Sequence, residues 1–358
     1  MKAVVVCGVA GEGIFPITDS RPPALMPLAG KSLAERLVEQ FLGAGVDEVV
    51  IVAGERGDMF QTEFEARETV SVVETDAESY GAAILEADPS EGFACATGDI
   101  YVSDGEIRRA VESLQDGQMS VLAEPSDRDR GFGFLKLGEQ ELLDSASQQT
   151  NETKPLISTG VCGLKPGFLQ SLEKSDGNLI NALDVAAQSS DVNVEMVRGV
   201  YTRVDSPENM FEAGNEVRRN LTGRISKDAS IHDTAHVSDE AVIRAGAEVG
   251  PNATVLGQSY IGEETEIGAG TIVENSSIHS GTQALNADVR RSAVWEDAVL
   301  DPETSVERSI VCEESVVRSG TSITQSFIGP RSHIEVNNSI RGVKFVPDAR
   351  TDLSEISK

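Results

Sequence analysis

An α/β domain followed by a parallel β-helix is the fold class this sequence predicts, and three observations predict it. From residue 1 to about 220, short apolar runs alternate with amphipathic helical patterns, which argues for a mainly parallel sheet covered by helices. Beyond Arg224 the hydrophobic period becomes six. The first apolar run, Val4-Val5-Val6-Cys7, feeds a loop containing Gly8, Gly11 and Gly13, where missing side chains let backbone N–H groups approach a phosphate. The first domain is expected to span 1–222, the β-helix 223–347 and a polar tail 348–358.

In the first domain, strands are expected at 3–7, 49–53, 70–74, 93–97 and 119–123, and helices at 32–45, 81–87 and 105–115. Gly98-Asp99 stands at the carboxyl end of one such strand, where open α/β sheets bind ligands. In the second domain, Ile225, Ile231, Val237, Ile243, Val249, Val255, Ile261, Ile267 and Val273 recur at unbroken intervals of six. A small residue, from Ala229 to Thr271, holds the fourth place after each aliphatic as far as Ile267. One aliphatic for the bore and one small residue for the corner is what stacked short faces demand. The repeat resembles the hexapeptide left-handed β-helix, in which three hexads make a triangular coil. After Val273 the register loosens into units of five to seven residues with recurring Ser-aliphatic pairs. Trp295, Phe327 and Phe345 in these coils are candidate contact residues between subunits, with packing under the C-terminal tail as the alternative for each.

Thirty basic residues against fifty-nine acidic ones give a net charge of −29, a balance hostile to nucleic acid and to anionic membrane. The acids are spread along the chain, and only nine of the basic residues are Lys. This composition points to a salt-rich, halophilic cytoplasm, where mutual repulsion is screened over only ~3 Å at molar salt. Cys7, Cys95, Cys162 and Cys312 have no metal spacing and are expected to be buried reduced thiols. With no signal-like opening and no long apolar run, a cytoplasmic protein is expected.

The loop is followed by Arg21-Pro22-Pro23-Ala24-Leu25-Met26-Pro27-Leu28-Ala29-Gly30-Lys31, a helix and a strand. Together they resemble the opening of the sugar-1-phosphate nucleotidyltransferases, the nucleotide-sugar pyrophosphorylases. The resemblance implies a Rossmann-like domain that transfers a nucleotidyl group to a sugar 1-phosphate, with magnesium as cofactor if active. It implies nucleotide-binding roles for Gly8, Gly11, Gly81 and Gly98, and sugar-phosphate roles for Gly133, Lys154 and Gly160. Asp99, in Ala96-Thr97-Gly98-Asp99, matches the family's magnesium-holding aspartate.

Three positions depart from the family pattern. Gly13 stands at the catalytic arginine, Pro23 at the lysine of the P-K-P segment, and Arg203 at the second metal carboxylate. Phosphoryl transfer depends on cations that neutralise developing charge, so catalysis is expected to be impaired and the chain to serve as a regulatory or assembly partner. Expected partners are a nucleotide or nucleotide sugar and a second copy or paralogous subunit. Two rival readings stand beside this one. The first is an active enzyme in which Arg21 and Lys31 supply charge. The second is a hexapeptide acyltransferase using His232, His236, His279 or His333 as base.

Overall fold

The computed structural model describes residues 1–8, 14–15, 17–89, 91–126, 132–151, 154–221 and 223–351. It divides into two units, one formed mainly by residues 32–205 with the first strand, the other by the chain from Ser206 onward. The described part of 11–21 and residues 27–31 also cluster with the second unit. The helix Pro207–Asn220 clusters with the chain that follows it.

The chain begins with strands β1 (Lys2–Val6), β2 (Pro27–Leu28), β3 (Lys31–Ser32), β4 (Glu48–Ala53), β5 (Val70–Glu74), β6 (Phe93–Thr97) and β7 (Ile100–Val102). It continues with β8 (Met119–Pro125), β9 (Phe134–Leu137), β10 (Leu143–Ser147), β11 (Leu156–Leu164), β12 (Val192–Met196) and β13 (Tyr201–Arg203). The helices are α1 (Leu33–Gly43), α2 (Gly57–Phe64), α3 (Tyr80–Glu86), α4 (Asp104–Gln115), α5 (Phe168–Lys174), α6 (Leu179–Ala187) and α7 (Pro207–Asn220).

The main sheet runs in the order β10-β9-β11-β6-β1-β4-β5, with β8 joining β11 to β12. β1 is parallel to both β4 and β6, which is why Ala3 to Val6 are all buried. α1 starts where the Ser32 side chain accepts from Glu35 N–H. It buries Leu33, Leu37, Val38 and Phe41 along one stripe. One apolar cluster gathers Leu37, Phe41, Phe60 and Ile107, and a second gathers Ile84, Phe93, Leu172 and Leu183. β11 runs antiparallel to β6, β8 and β9, and its register with β8 shifts between Ser158 and Cys162. All four cysteines are free and buried; the β6–β11 register sets Cys95 opposite Cys162.

In the second unit the strands stack into three parallel sheets of eight, seven and seven, consistent with a left-handed β-helix. Ile243 pairs with Ile261 eighteen positions on, whereas Ile278 pairs with Val294 sixteen on, so the coil shortens where the hexads loosen. The aliphatics fill the bore: Val255, Ile261, Val273, Ile278, Val294 and Val311 are fully buried. The recurring serines form a ladder of their own. The hydroxyls of Ser259, Ser276, Ser292 and Ser309 accept from the N–H of Ser276, Ser292, Ser309 and Ser326 respectively, at 3.0–3.3 Å. A corner small enough for close packing thus also satisfies buried backbone donors.

Two expectations fail here. Trp295 is fully buried and Phe327 nearly so, at 0% and 8% exposure: the Arg21 guanidinium covers the Trp295 ring, and Phe327 lines the cavity beside α7. The polar tail also starts later than position 348. His333 N–H donates to Ala349 O, Thr351 N–H donates to His333 O, and Asp348 pairs with Arg331, so the last coil is closed as far as Thr351.

Candidate functional site

Asp99 follows β6 and precedes β7, so the sheet delivers its carboxylate beside the strand end, as expected. The register of β13 against β7 then decides its company. Arg203 pairs with Ile100, and Val204 N–H donates to Asp99 O at 2.7 Å. This places Arg203 Nε 3.0 Å from Asp99 Oδ2. The other carboxylate oxygen accepts from Thr97 Oγ1 at 2.5 Å. Asp99 is only 7% exposed. Burial alone would lower the Arg203 guanidinium, but the adjacent Asp99 carboxylate more than offsets it and holds Arg203 above its ordinary value. Burial, and after it the Asp99 charge, pushes the Cys7 thiol and the Tyr201 phenol up.

This donor set does not fit the magnesium ion that the resemblance implies. A hard dication needs several oxygen ligands with negative charge directed at it. Here the carboxylate already faces a guanidinium, and a second cation beside Arg203 would be repelled. Among the described residues no three His, Cys, Asp or Glu side chains are grouped to hold a metal.

Next to this pair lies an aromatic cluster. Phe132 packs on Tyr80 with ring centroids 4.6 Å apart, and the Arg203 guanidinium sits 5.7 Å from the Phe132 ring centre. Tyr80 Oη donates to Gly160 O at 2.8 Å. Gly160 has φ +81°, and a Cβ there would come within 2.3 Å of Phe132. Gly133 has φ +141° and lies against Ile180. Both glycines are thus required by backbone conformation and packing, independently of any sugar phosphate.

The remaining expected residues separate. Gly81 N–H donates to Gly177 O, and a Cβ on Gly81 would lie 2.5 Å from that oxygen. Gly98 is pressed against Cys7 and Ala24. Gly8 is exposed and meets Gly54. Lys154 is exposed ahead of β11. Pro23 is buried in a short turn, Pro23–Leu25, and lies with Ala24, Cys7, Thr97 and Asp99 around a closely packed spot with no room for a ligand. Gly11 and Gly13 lie outside the described residues.

Arg21 is committed elsewhere, within the second unit. Its guanidinium lies 5.3 Å from the Trp295 ring centre and 3.6 and 3.5 Å from carboxylate oxygens of Glu296 and Glu313. His279 is buried beside the same Glu296, with Nδ1 3.6 Å from Oε1. Burial would raise the Glu296 carboxyl, yet His279 and Arg21 hold it down at about 2. Sequence reasoning missed this cluster because its members lie far apart in the chain. The only available signal was Arg21 itself, a cation in an apolar segment.

Residues 20–178 match the MobA-like NTP transferase domain. A bifunctional sugar-1-phosphate nucleotidylyltransferase/acetyltransferase of Sulfurisphaera tokodaii is 25% identical over 79% of this chain and 76% of its own length. The low-salt glycan biosynthesis nucleotidyltransferase Agl11 of Haloferax volcanii is 23% identical over 84% of this chain and 92% of its own. The bifunctional protein GlmU of Methanococcus maripaludis is 21% identical over 78% and 74%. No helix among the described residues is long and apolar enough to cross a membrane. Residues 20–178 are thus similar to a MobA-like NTP transferase domain, and the stacked parallel coils that follow are consistent with the left-handed β-helix.

Proposed function

We propose that this chain has lost nucleotidyl transfer and serves as a regulatory or assembly partner in nucleotide-sugar metabolism, within a cytoplasm rich in salt. The observation that carries this reading is the Arg203–Asp99 ion pair, which places a cation where the reaction needs a dication and its ligands. Gly13 and Pro23 remove two further cations. If each contributed ~3 kcal/mol to the transition state, losing both would slow turnover by ~10⁴-fold. The ligand class suggested by the relatives' names is a nucleotide or nucleotide sugar, and the partner is a second copy or a paralogous subunit.

The test is pyrophosphate release from a panel of nucleoside triphosphates and sugar 1-phosphates, with magnesium in molar KCl. No turnover is expected. Turnover that vanishes in Asp99→Ala would overturn the reading and establish an active transferase. Acetyl transfer, which the name of the Sulfurisphaera relative includes, finds little support here. The β-helix histidine set beside a carboxylate in the interior, His279, is 2% exposed, out of reach of an acyl donor.

A further inference from the structure

The second unit holds a cavity of about 770 Å³, within the range of small-molecule sites. One wall is α7; the other is a corner of the β-helix. The corner residues immediately precede the serine ladder and follow one another coil by coil: Asn275, Arg291, Arg308 and Gln325, with φ of +47° to +50°. Neighbouring strands lie ~4.8 Å apart, so the guanidinium stems of Arg291 and Arg308 rise side by side. In the left-handed region a residue other than glycine costs ~1–2 kcal/mol, and the same column uses glycine at 257 and 342. At another basic corner, Arg331 returns that cost through a two-pronged pair with Asp348. Neither Arg291 nor Arg308 has a carboxylate partner among the described residues.

α7 brings two more arginines to the same cavity. Arg219 pairs with Glu216 one turn back. Arg218 is 6% exposed, and among the described residues its guanidinium meets neutral acceptors, Ser277 Oγ at 3.2 Å and Asn215 Oδ1 at 2.5 Å. Burial, and then Arg219, lowers Arg218 to about 10. Four arginines thus converge against two glutamates of the lining, Glu208 and Glu212, on a chain whose net charge is −29. Phe211 and Phe327 supply apolar surface beside them.

We infer that this cavity is a binding site for a phosphate-bearing small molecule, held by Arg218, Arg291 and Arg308, with the two phenylalanines beside its organic part. Planar guanidinia suit phosphate oxygens in pairs, and an anion supplies the charge that buried Arg218 lacks. The site lies wholly within the second unit and does not depend on whether the first domain is catalytic.

Calorimetric titration of the full chain with ATP, inorganic pyrophosphate and adenosine, in moderate and in molar KCl, tests the inference. ATP or pyrophosphate is expected to bind, more weakly at higher salt. The double variant Arg291→Gln, Arg308→Gln, at two exposed corners, is expected to weaken binding at least tenfold with an unchanged melting temperature. Lys154→Ala, in the first domain, is expected to leave binding intact. Tighter binding of ATP than of pyrophosphate would assign the phenylalanines to a nucleoside; equal binding would assign the site to the phosphates alone. No binding by the wild type, or binding lost in Lys154→Ala but kept in the double variant, would overturn the inference. So would binding of an acidic peptide in place of every phosphate compound.

Discussion

Arg203 Nε lies 3.0 Å from Asp99 Oδ2, across two short antiparallel strands. A cation that reaches the retained aspartate does more than fail to replace a lost carboxylate: it takes over the charge compensation a bound ion would give. Removing one partner leaves the other buried and uncompensated, so Arg203→Ala is expected to cost about 3 kcal/mol in denaturant unfolding. Asp99→Asn together with Arg203→Gln is expected to cost less than the sum of the single changes. Arg203→Asp, which sets two carboxylates side by side, is expected to gain a magnesium-dependent rise in melting temperature that the wild type lacks. Additive single changes would show the pair to be uncoupled.

Gly160 and Phe132 make a second, independent test of what the retained glycines do. With φ +81° and Phe132 2.3 Å from the position of a Cβ, Gly160→Ala carries both backbone strain and overpacking. A loss of about 2 kcal/mol or more is expected. In a Phe132→Ala background the further loss is expected to shrink to the backbone part, about 1 kcal/mol. Equal losses in the two backgrounds would remove Phe132 from the explanation.

The hexads were legible because one aliphatic and one small residue per six leave no other economical fold, and Val255, Ile261 and Val273 fill the bore as their spacing required. The α/β order was legible for β1, β4, β5, β6 and β8, whose runs are largely apolar, and not for β12, where Asn193 and Glu195 interrupt the run. Nor was it for β9, β10 and β11, whose alternation is weak and whose pairing is antiparallel. Arg203 was identifiable as a substitution, but its contact with Asp99 depends on the register of β13 with β7, a long-range property. Trp295 misled because a bulky aromatic in an irregular coil looks like a contact residue, whereas the structure packs it under Arg21. Ser206-Pro207-Glu208 marks a helix start, yet nothing local says that α7 lies along a column of corner arginines.

Stability is expected to rise with salt. The charge of −29 is spread over the chain, and its self-repulsion falls as the screening length shortens to ~3 Å at molar salt. Melting temperatures from about 0.1 to about 3 M KCl measure this. A flat or falling midpoint would reject a salt-adapted surface.

Glu296 gives the pH dependence a sign. Its folded value of about 2 lies below the ordinary 4.5, so the unfolded chain binds the proton first. The stabilisation is complete above pH 4.5 and disappears as pH falls toward 2. The groups that face it are Arg21 and His279. The difference in melting temperature between wild type and Glu296→Gln is therefore expected to be constant above that window and to shrink within it. A difference that grows on acidification would contradict the assignment.

Assembly is the last expectation, and the end of the β-helix says where to look. The strand Lys344–Phe345 is the last of the eight-stranded sheet among the described residues, and a sheet edge is a natural template for another chain. Around it Val336, Val343 and Val346 are 42%, 40% and 51% exposed, three large apolar side chains in the final coil on a chain otherwise rich in charge. Apolar surface beside an open edge is commonly covered by a second subunit. Full-length protein is expected to scatter light as an oligomer in molar KCl. Val343→Lys with Val346→Lys is expected to shift it to monomer, since exposed side chains change the contact without entering the bore. A wild-type monomer at every concentration, unaltered by a paralogous subunit, would defeat the assembly role; an oligomer indifferent to the double change would move the interface to another face.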